Sequence, residues 1–220
     1  MIYIAPVTLI CLTAQVSYAQ HPFYAEAEVG LLQGNFSVKY NDLTSTLPQN
    51  YQDNVLQSAY TAGLALGYRQ IIATRYLLGL EIAGNRASNY AYYSPGVLSD
   101  KLKLKYNIDF AFVPGLLLNQ SISTYLKLGI SSGYIYDHLV SPAGYTPQNT
   151  VYHYNLNRVG FLAGIGVRKD LASHWAVFAE YLYRDYGSIS FKHFTNLTAT
   201  YSHNARLTTN ALNVGLAFNF

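Results

Sequence analysis

Four histidines, a serine and a set of charged residues are the groups in this chain best equipped for chemistry. His138 and His153 flank one polar stretch, and His193 and His203 flank the next. Imidazoles converging from adjacent hairpins could ligate zinc or copper, or change charge between about pH 5 and 8. The plainer reading is solvated loop histidines, since no helical ligand spacing accompanies them and no cysteine assists. Ser202 and His203 put a hydroxyl beside an imidazole, but neighbours on a strand point to opposite faces, and no Asp or Glu follows to orient the ring. The third group is ionic. Glu28, Arg69, Glu81, Lys127, Arg158, Arg168, Glu180 and Arg184 fall at alternate positions among Gly, Ala and Ser. Charges of both signs on a small-residue face suit a buried, paired network, in which Glu180 would answer Arg168 or Arg184. A narrow charged channel and a gate of switching pairs are the alternatives, with a catalytic carboxylate pair behind them. No catalytic, metal-binding or cofactor-binding residue is assigned on these grounds.

The elements that must position these groups are strands. In LKLKYNIDFAF, Leu102, Leu104, Tyr106, Ile108, Phe110 and Phe112 oppose Lys103, Lys105, Asn107, Asp109 and Ala111 at a strict period of two. In NALNVGLAFNF, Leu212, Val214, Leu216, Phe218 and Phe220 oppose Ala211, Asn213, Gly215, Ala217 and Asn219. The same split runs through Ala62–Tyr68, Leu78–Ile82, Leu126–Ile130 and Val159–Val167, where Leu162 is a misfit on the small-residue side. It is weaker over Ala25–Leu31, where Glu26 and Glu28 share the small face, and in WAVFAEYLYRDYG, where only Glu180 and Arg184 mark one face. That makes eight strands. Short links near 71–75, 119–123 and 170–174 alternate with longer polar ones near 40–54, 89–100, 138–152 and 193–204. This is the pattern of an all-β, eight-stranded antiparallel up-and-down transmembrane β-barrel.

Composition decides which face points inward. Charged residues are 11% of the chain, well below the quarter or so usual in soluble domains, while 50% are hydrophobic and 22 are Tyr. An eight-stranded lumen is only wide enough for side chains to fill it, so the small face fits inside and the bulky apolar face must meet lipid. Closure pairs every backbone group, which hydrocarbon requires. Tyr60, Tyr68, Tyr76, Tyr134 and Tyr183 fall where aromatic girdles belong. A net charge of +3 with dispersed basic residues gives nucleic-acid binding no support. Residues 1–19 carry no side-chain charge and end in Ser17 and Ala19, as a cleaved signal peptide does, with 20–220 as the barrel domain. Lacking a basic start, the segment also fits a retained helical anchor. Cys11 is the single cysteine and lies within it, so 20–220 must fold without a disulfide.

The terminal strand ending in Phe220, the segment VPGLLLNQSISTYLKLGI and the segment GVRKDLASHWAVFAEYLYRDYG resemble the small eight-stranded outer-membrane barrels, a family that includes opacity-type surface proteins and the barrel domain of the major outer-membrane protein A. The resemblance implies a Gram-negative outer membrane, contact with its lipids and lipopolysaccharide, and Phe220 as an assembly signal read by the barrel-assembly machinery. These features identify a fold and a compartment, not an activity; the expected role is structural or adhesin-like display by four extracellular loops, which would meet a host or surface ligand, with no cofactor and no enzymatic activity. A narrow porin-like channel is the alternative. YSHNARL faintly resembles the Ser and His of barrel enzymes that remove acyl chains from lipopolysaccharide, a third reading.

Overall fold

The computed structural model describes residues 22–42, 49–88, 91–93, 99–141, 150–195 and 199–220, so residues 1–19 lie outside what it describes. Ten strands follow in order: β1 (Phe23–Asp42), β2 (Gln49–Ile72), β3 (Tyr76–Ala87), β4 (Ala91–Tyr93), β5 (Ser99–Phe112), β6 (Gly115–Leu117), β7 (Ile122–Ser141), β8 (Thr150–Asp170), β9 (Trp175–Thr195) and β10 (Ala199–Asn219). Two of them are continuations. β4 extends β3 along β5, and β6 extends β5 past Pro114, whose missing N–H interrupts the ladder. The wall therefore has eight staves, all antiparallel, and β1 closes it by pairing with both β2 and β10.

The two ends of the barrel differ. At one end the links are tight: three residues, 73–75, join the partners Ile72 and Tyr76, and Ala73 and Thr74 both adopt positive φ, 49° and 64°, to reverse the chain. In the next link Asn119 Oδ1 accepts from the amides of Ser121 and Ile122, at 2.9 and 2.8 Å. At the other end the strands run far past the apolar belt. A tilted strand needs roughly 9–11 residues to cross hydrocarbon, whereas β2 has 24. The ladder continues to Asp42↔Gln49, Ser141↔Thr150 and Ala199↔Thr195, through much of what the sequence presents as loops. Once a stave leaves lipid nothing requires an apolar outer face, so alternation fades while hydrogen bonding persists.

That distal half is divided. Among the described residues, β8 pairs with β9 only from Phe161↔Asp185 toward the tight turns, and β2 with β3 only from Thr61↔Ala87 in the same direction. Beyond those rungs β9–β10–β1–β2 form one set of paired strands and β4–β5–β7–β8 another. A bulge at Gly187, with φ of 69°, opens at the base of the first seam. It is pinned by Asp185, which accepts from the Gly187 amide at 2.9 Å and from Arg206 Nη2 at 2.5 Å. These strands lie above the belt, and the Arg206 bond followed by the Gly187 amide holds the Asp185 carboxyl below the usual range.

Exposure runs inside out. Leu64, Val159 and Tyr60 are 70%, 66% and 71% exposed on the outer wall, while Lys127 and Arg184 are buried in the lumen. The tyrosines expected at the girdles all face outward, with Tyr106 stacked on Tyr134 at 4.9 Å between ring centres. Phe220 is exposed at the tight-turn rim, donating its amide to Phe23 O at 3.0 Å. One stretch corrects the sequence reading. Leu102 and Leu104 do not face lipid; they are buried in the lumen, and Lys103 and Lys105 point outward. A bulge shifts the register between Leu104↔Ile135 and Tyr106↔Tyr134, so Lys105 is an extra residue and alternation changes phase across it. Leu162, the misfit, is lumenal and 1% exposed.

Truncating Leu104 to Ala should therefore cost about 2–5 kcal/mol of folding stability in detergent, as core cavities do. Ile108→Ala, four residues away on the lipid face, should cost clearly less. Equal costs in a urea titration would restore the unbulged phase. Asp185→Asn should speed hydrogen exchange at Gly187 and the rungs above it with little change in midpoint, because an exposed ion pair contributes about 0–1 kcal/mol. Acidification should do the same. A depressed carboxylate stabilises above its unfolded pKa and loses that contribution as pH falls through the folded one; exchange that ignores both changes would argue against the pin.

Candidate functional site

The lumen gathers the charged residues because each sits on the small-residue face of its stave. Nearest the tight turns, Arg168 of β8 donates to Glu26 Oε1 at 2.9 Å and to Asn219 Oδ1 at 2.5 Å, with Asp170 at 3.4 Å. Its guanidinium stands 5.3 Å from the centre of the Tyr24 ring, and that of Arg69 stands 5.8 Å from the same centre. Next comes Lys127 of β7, between two carboxylates: Nζ lies 2.7 Å from Glu81 Oε1 and 2.6 Å from Glu180 Oε2. Tyr24 and Tyr125 donate their hydroxyls to the same two carboxylates, at 2.9 and 3.1 Å. Glu28 accepts from Asn213 Nδ2 at 2.9 Å. Further along, Arg184 of β9 grips Asp109 of β5 through Nη2 at 2.6 Å and Nε at 3.1 Å, and Asn107 supports the carboxylate at 2.8 Å.

Above these charges the lumen turns apolar. Leu32, Phe36, Leu102, Leu104, Ile135, Ile189 and Leu207 belong to one buried cluster. Spaces left between side chains are small: about 10 Å³ beside Glu26, Arg69 and Glu81, and about 20 Å³ among Leu32, Phe36 and Leu104. Each has room for about one water.

Glycines make this filling possible in a specific way. Tyr24 lies directly opposite Gly67, Tyr125 opposite Gly166 and Phe178 opposite Gly215. A β-carbon at any of the three would collide with the facing ring, so each lumenal aromatic lies flat on a glycine of the next stave.

Of the residues the sequence places in an inward network, Arg69, Glu81, Lys127, Arg168, Glu180 and Arg184 converge as described, and Glu28 joins through Asn213. Arg158 does not; it is half-buried higher up, and its Nε has no partner. Glu180 answers Lys127, not Arg168 or Arg184, because the tilt of the staves offsets side chains that look close in sequence. Glu26 and Asp109 are the omissions. Both occupy the small-residue face, and extending the two-residue step from Glu28 and from Ala111 finds them. Among the histidines, His138 and His153 are direct partners on β7 and β8, whereas His193 pairs with Tyr201 and His203 with Phe191 on the far side of the seam. The side chains of His153, His193 and His203 lie outside the described residues, among which no group of three or more metal-ligating side chains occurs. Ser202 and His203 are consecutive on β10, in register with Lys192 and Phe191 of β9, and their side chains lie outside the described residues.

A closed eight-stave wall with an apolar exterior and ionic lumen is a membrane barrel, and residues 2–220 match the outer membrane protein beta-barrel domain. The chain belongs to that family. It resides in the outer membrane of a Gram-negative bacterium, where barrels of this kind set their short turns in the periplasm and their long loops outside. This outer-membrane barrel is 29% identical to an uncharacterized protein of Coxiella burnetii, over 87% of this chain and 81% of that one. Its fold is similar to that of the outer membrane protein OprG of Pseudomonas aeruginosa, with 11% identity, coverage of 91% and 97%, and a TM-score of 0.58. It is also similar to the outer membrane protease OmpT of Escherichia coli, with 10% identity, coverage of 90% and 97%, and a TM-score of 0.50.

Lys127→Met should destabilise the barrel by about 3–5 kcal/mol, since it strands two buried carboxylates. Adding Glu81→Gln and Glu180→Gln should recover most of that loss. A triple variant no more stable than Lys127→Met in a denaturant titration would show that the lysine acts through its packing rather than its charge.

Proposed function

We propose that this barrel is a non-conducting, non-enzymatic surface protein whose extracellular strands and loops form an adhesin-like display. The observation that carries the reading is the filled lumen, which pairs its charges around Lys127 and Arg184 and closes above them with an apolar plug. A conducting pathway needs continuous water, and moving these side chains aside would strand buried charges at several points together. The division of the distal half into two sheets supports display, because it widens the surface available to a large partner. Asn89-Tyr90-Ala91-Tyr92-Tyr93 has the Tyr and Asn composition of adaptable contact loops, and would meet a host or surface ligand. A likeness to a protease at 10% identity carries fold and no activity.

Planar bilayers separate display from a narrow pore. The purified barrel should be electrically silent across voltages at which a folded insertion is verified by protection from protease. Steady ohmic steps from the unmodified chain would overturn the reading in favour of conduction.

A further inference from the structure

We propose that the outer wall carries a binding site for one phosphorylated, multiply acylated lipid of the outer leaflet, with Arg86 as its phosphate ligand. Arg86 lies on the lipid-facing side of β3, ten residues beyond Tyr76 at the periplasmic rim, which is about one bilayer crossing. It is exposed, and no ion pair to it occurs among the described residues. Its height matches the extracellular girdle: Tyr106 is its register partner on β5, and the rung above it joins Tyr60 to Ser88. A guanidinium facing outward at that height, with no acidic partner among the described residues, is matched best by a phosphate at headgroup depth, which it can grip with two parallel bonds.

The wall below and beside it is shaped for chains. On the rung of Arg86, the neighbouring outward residue on β2 is Ala62, and one step down the same face of β3 is Gly84, where a side chain would meet nothing within 4 Å. These two small residues set two depressions on either side of the arginine. One, about 690 Å³, is walled by Val29, Leu31, Tyr60, Leu212 and Val214; the other, about 600 Å³, by Leu64, Tyr106 and Ile108. Both include Arg86 and Ala62. Two apolar grooves meeting under this exposed cation fit a lipid with a phosphate head and at least two tails, whereas a single-chain amphiphile would leave one groove open. Nearby outward cations are differently engaged: Lys105 lies 5.5 and 5.0 Å from the ring centres of Tyr134 and Tyr136, and Arg206 is bound to Asp185. The site does not depend on whether the lumen conducts.

The test is native mass spectrometry of the folded barrel in nonionic micelles, titrated with diphosphorylated lipid A. The unmodified chain should retain one lipid. Arg86→Gln should weaken binding about tenfold or more, as loss of a charge-assisted pair does, and Arg86→Lys less. Gly84→Leu should weaken binding with the arginine intact, by filling a groove. Lys169→Gln, which removes an exposed cation at the periplasmic end, should change nothing. Lipid A stripped of its phosphates should bind unmodified and Arg86→Gln chains alike, and weakly. Because Arg86 is on the exterior, heat-modifiability should show all variants folded. Equal affinity of Arg86→Gln and the unmodified chain would overturn the proposal. So would displacement of the lipid by equimolar inorganic phosphate with Gly84→Leu unaffected, since the grooves would then be idle.

Discussion

An eight-stave wall that closes in hydrocarbon leaves a lumen that side chains alone can fill, and most of this structure follows from that constraint. The exterior must be apolar because lipid solvates nothing else, so the polar residues that the chain carries through the membrane have one place to go. Confined there, they must satisfy one another. Lys127 between Glu81 and Glu180, Arg184 on Asp109 and Arg168 on Glu26 are the result. The flat aromatic rings on Gly67, Gly166 and Gly215 meet the same demand for volume, filling space that three β-carbons would have taken from them.

Alternation made the wall legible. A period of two over Leu78–Ile82, Val159–Val167 and Leu212–Phe220 states both that the segment is a strand and which side meets lipid, because these staves cross the membrane without interruption. The same signal misled at Leu102 and Leu104. Leu-Lys-Leu-Lys continues the rhythm of the residues after it, and a bulge that inserts Lys105 leaves no mark on composition. Nor do strand tilt and shear appear in a linear text, which is why the charged residues could be gathered on one face yet Glu180 was matched to the wrong cation. Arg158 shows the complementary failure: facing inward is not the same as lying at the depth where partners are.

The display and lipid proposals divide the molecule by height. Within the membrane the chain has little freedom, since one changed side chain meets either lipid or a filled lumen. Beyond the upper girdle the staves separate into two sheets, whose outward side chains no longer have to meet lipid. Surface recognition belongs in that half for the same reason that the buried charges belong in the other. Arg86 sits at the boundary, where a cation facing outward costs about 0–1 kcal/mol rather than the roughly 2–4 it would cost at the midplane.

The bulges obey this division too. Both lie at the upper edge of the apolar belt, one at Lys105 beside Tyr106 and the other at Gly187 just past Tyr183. A phase change lower on either stave would turn charge toward lipid. On β9 it would expose Glu180 and Arg184, and on β5 Asp109, while sending Tyr181 or Phe110 into a lumen already full. The ionic residues thus fix register as well as filling space, because a one-residue slip anywhere in the belt would carry several of them to the wrong side at once. Above the belt that penalty disappears. There Leu102 and Leu104 can turn inward to plug the lumen and Lys103 and Lys105 can turn out toward headgroups, so the chain changes phase at the first depth where doing so costs little and gains an apolar seal.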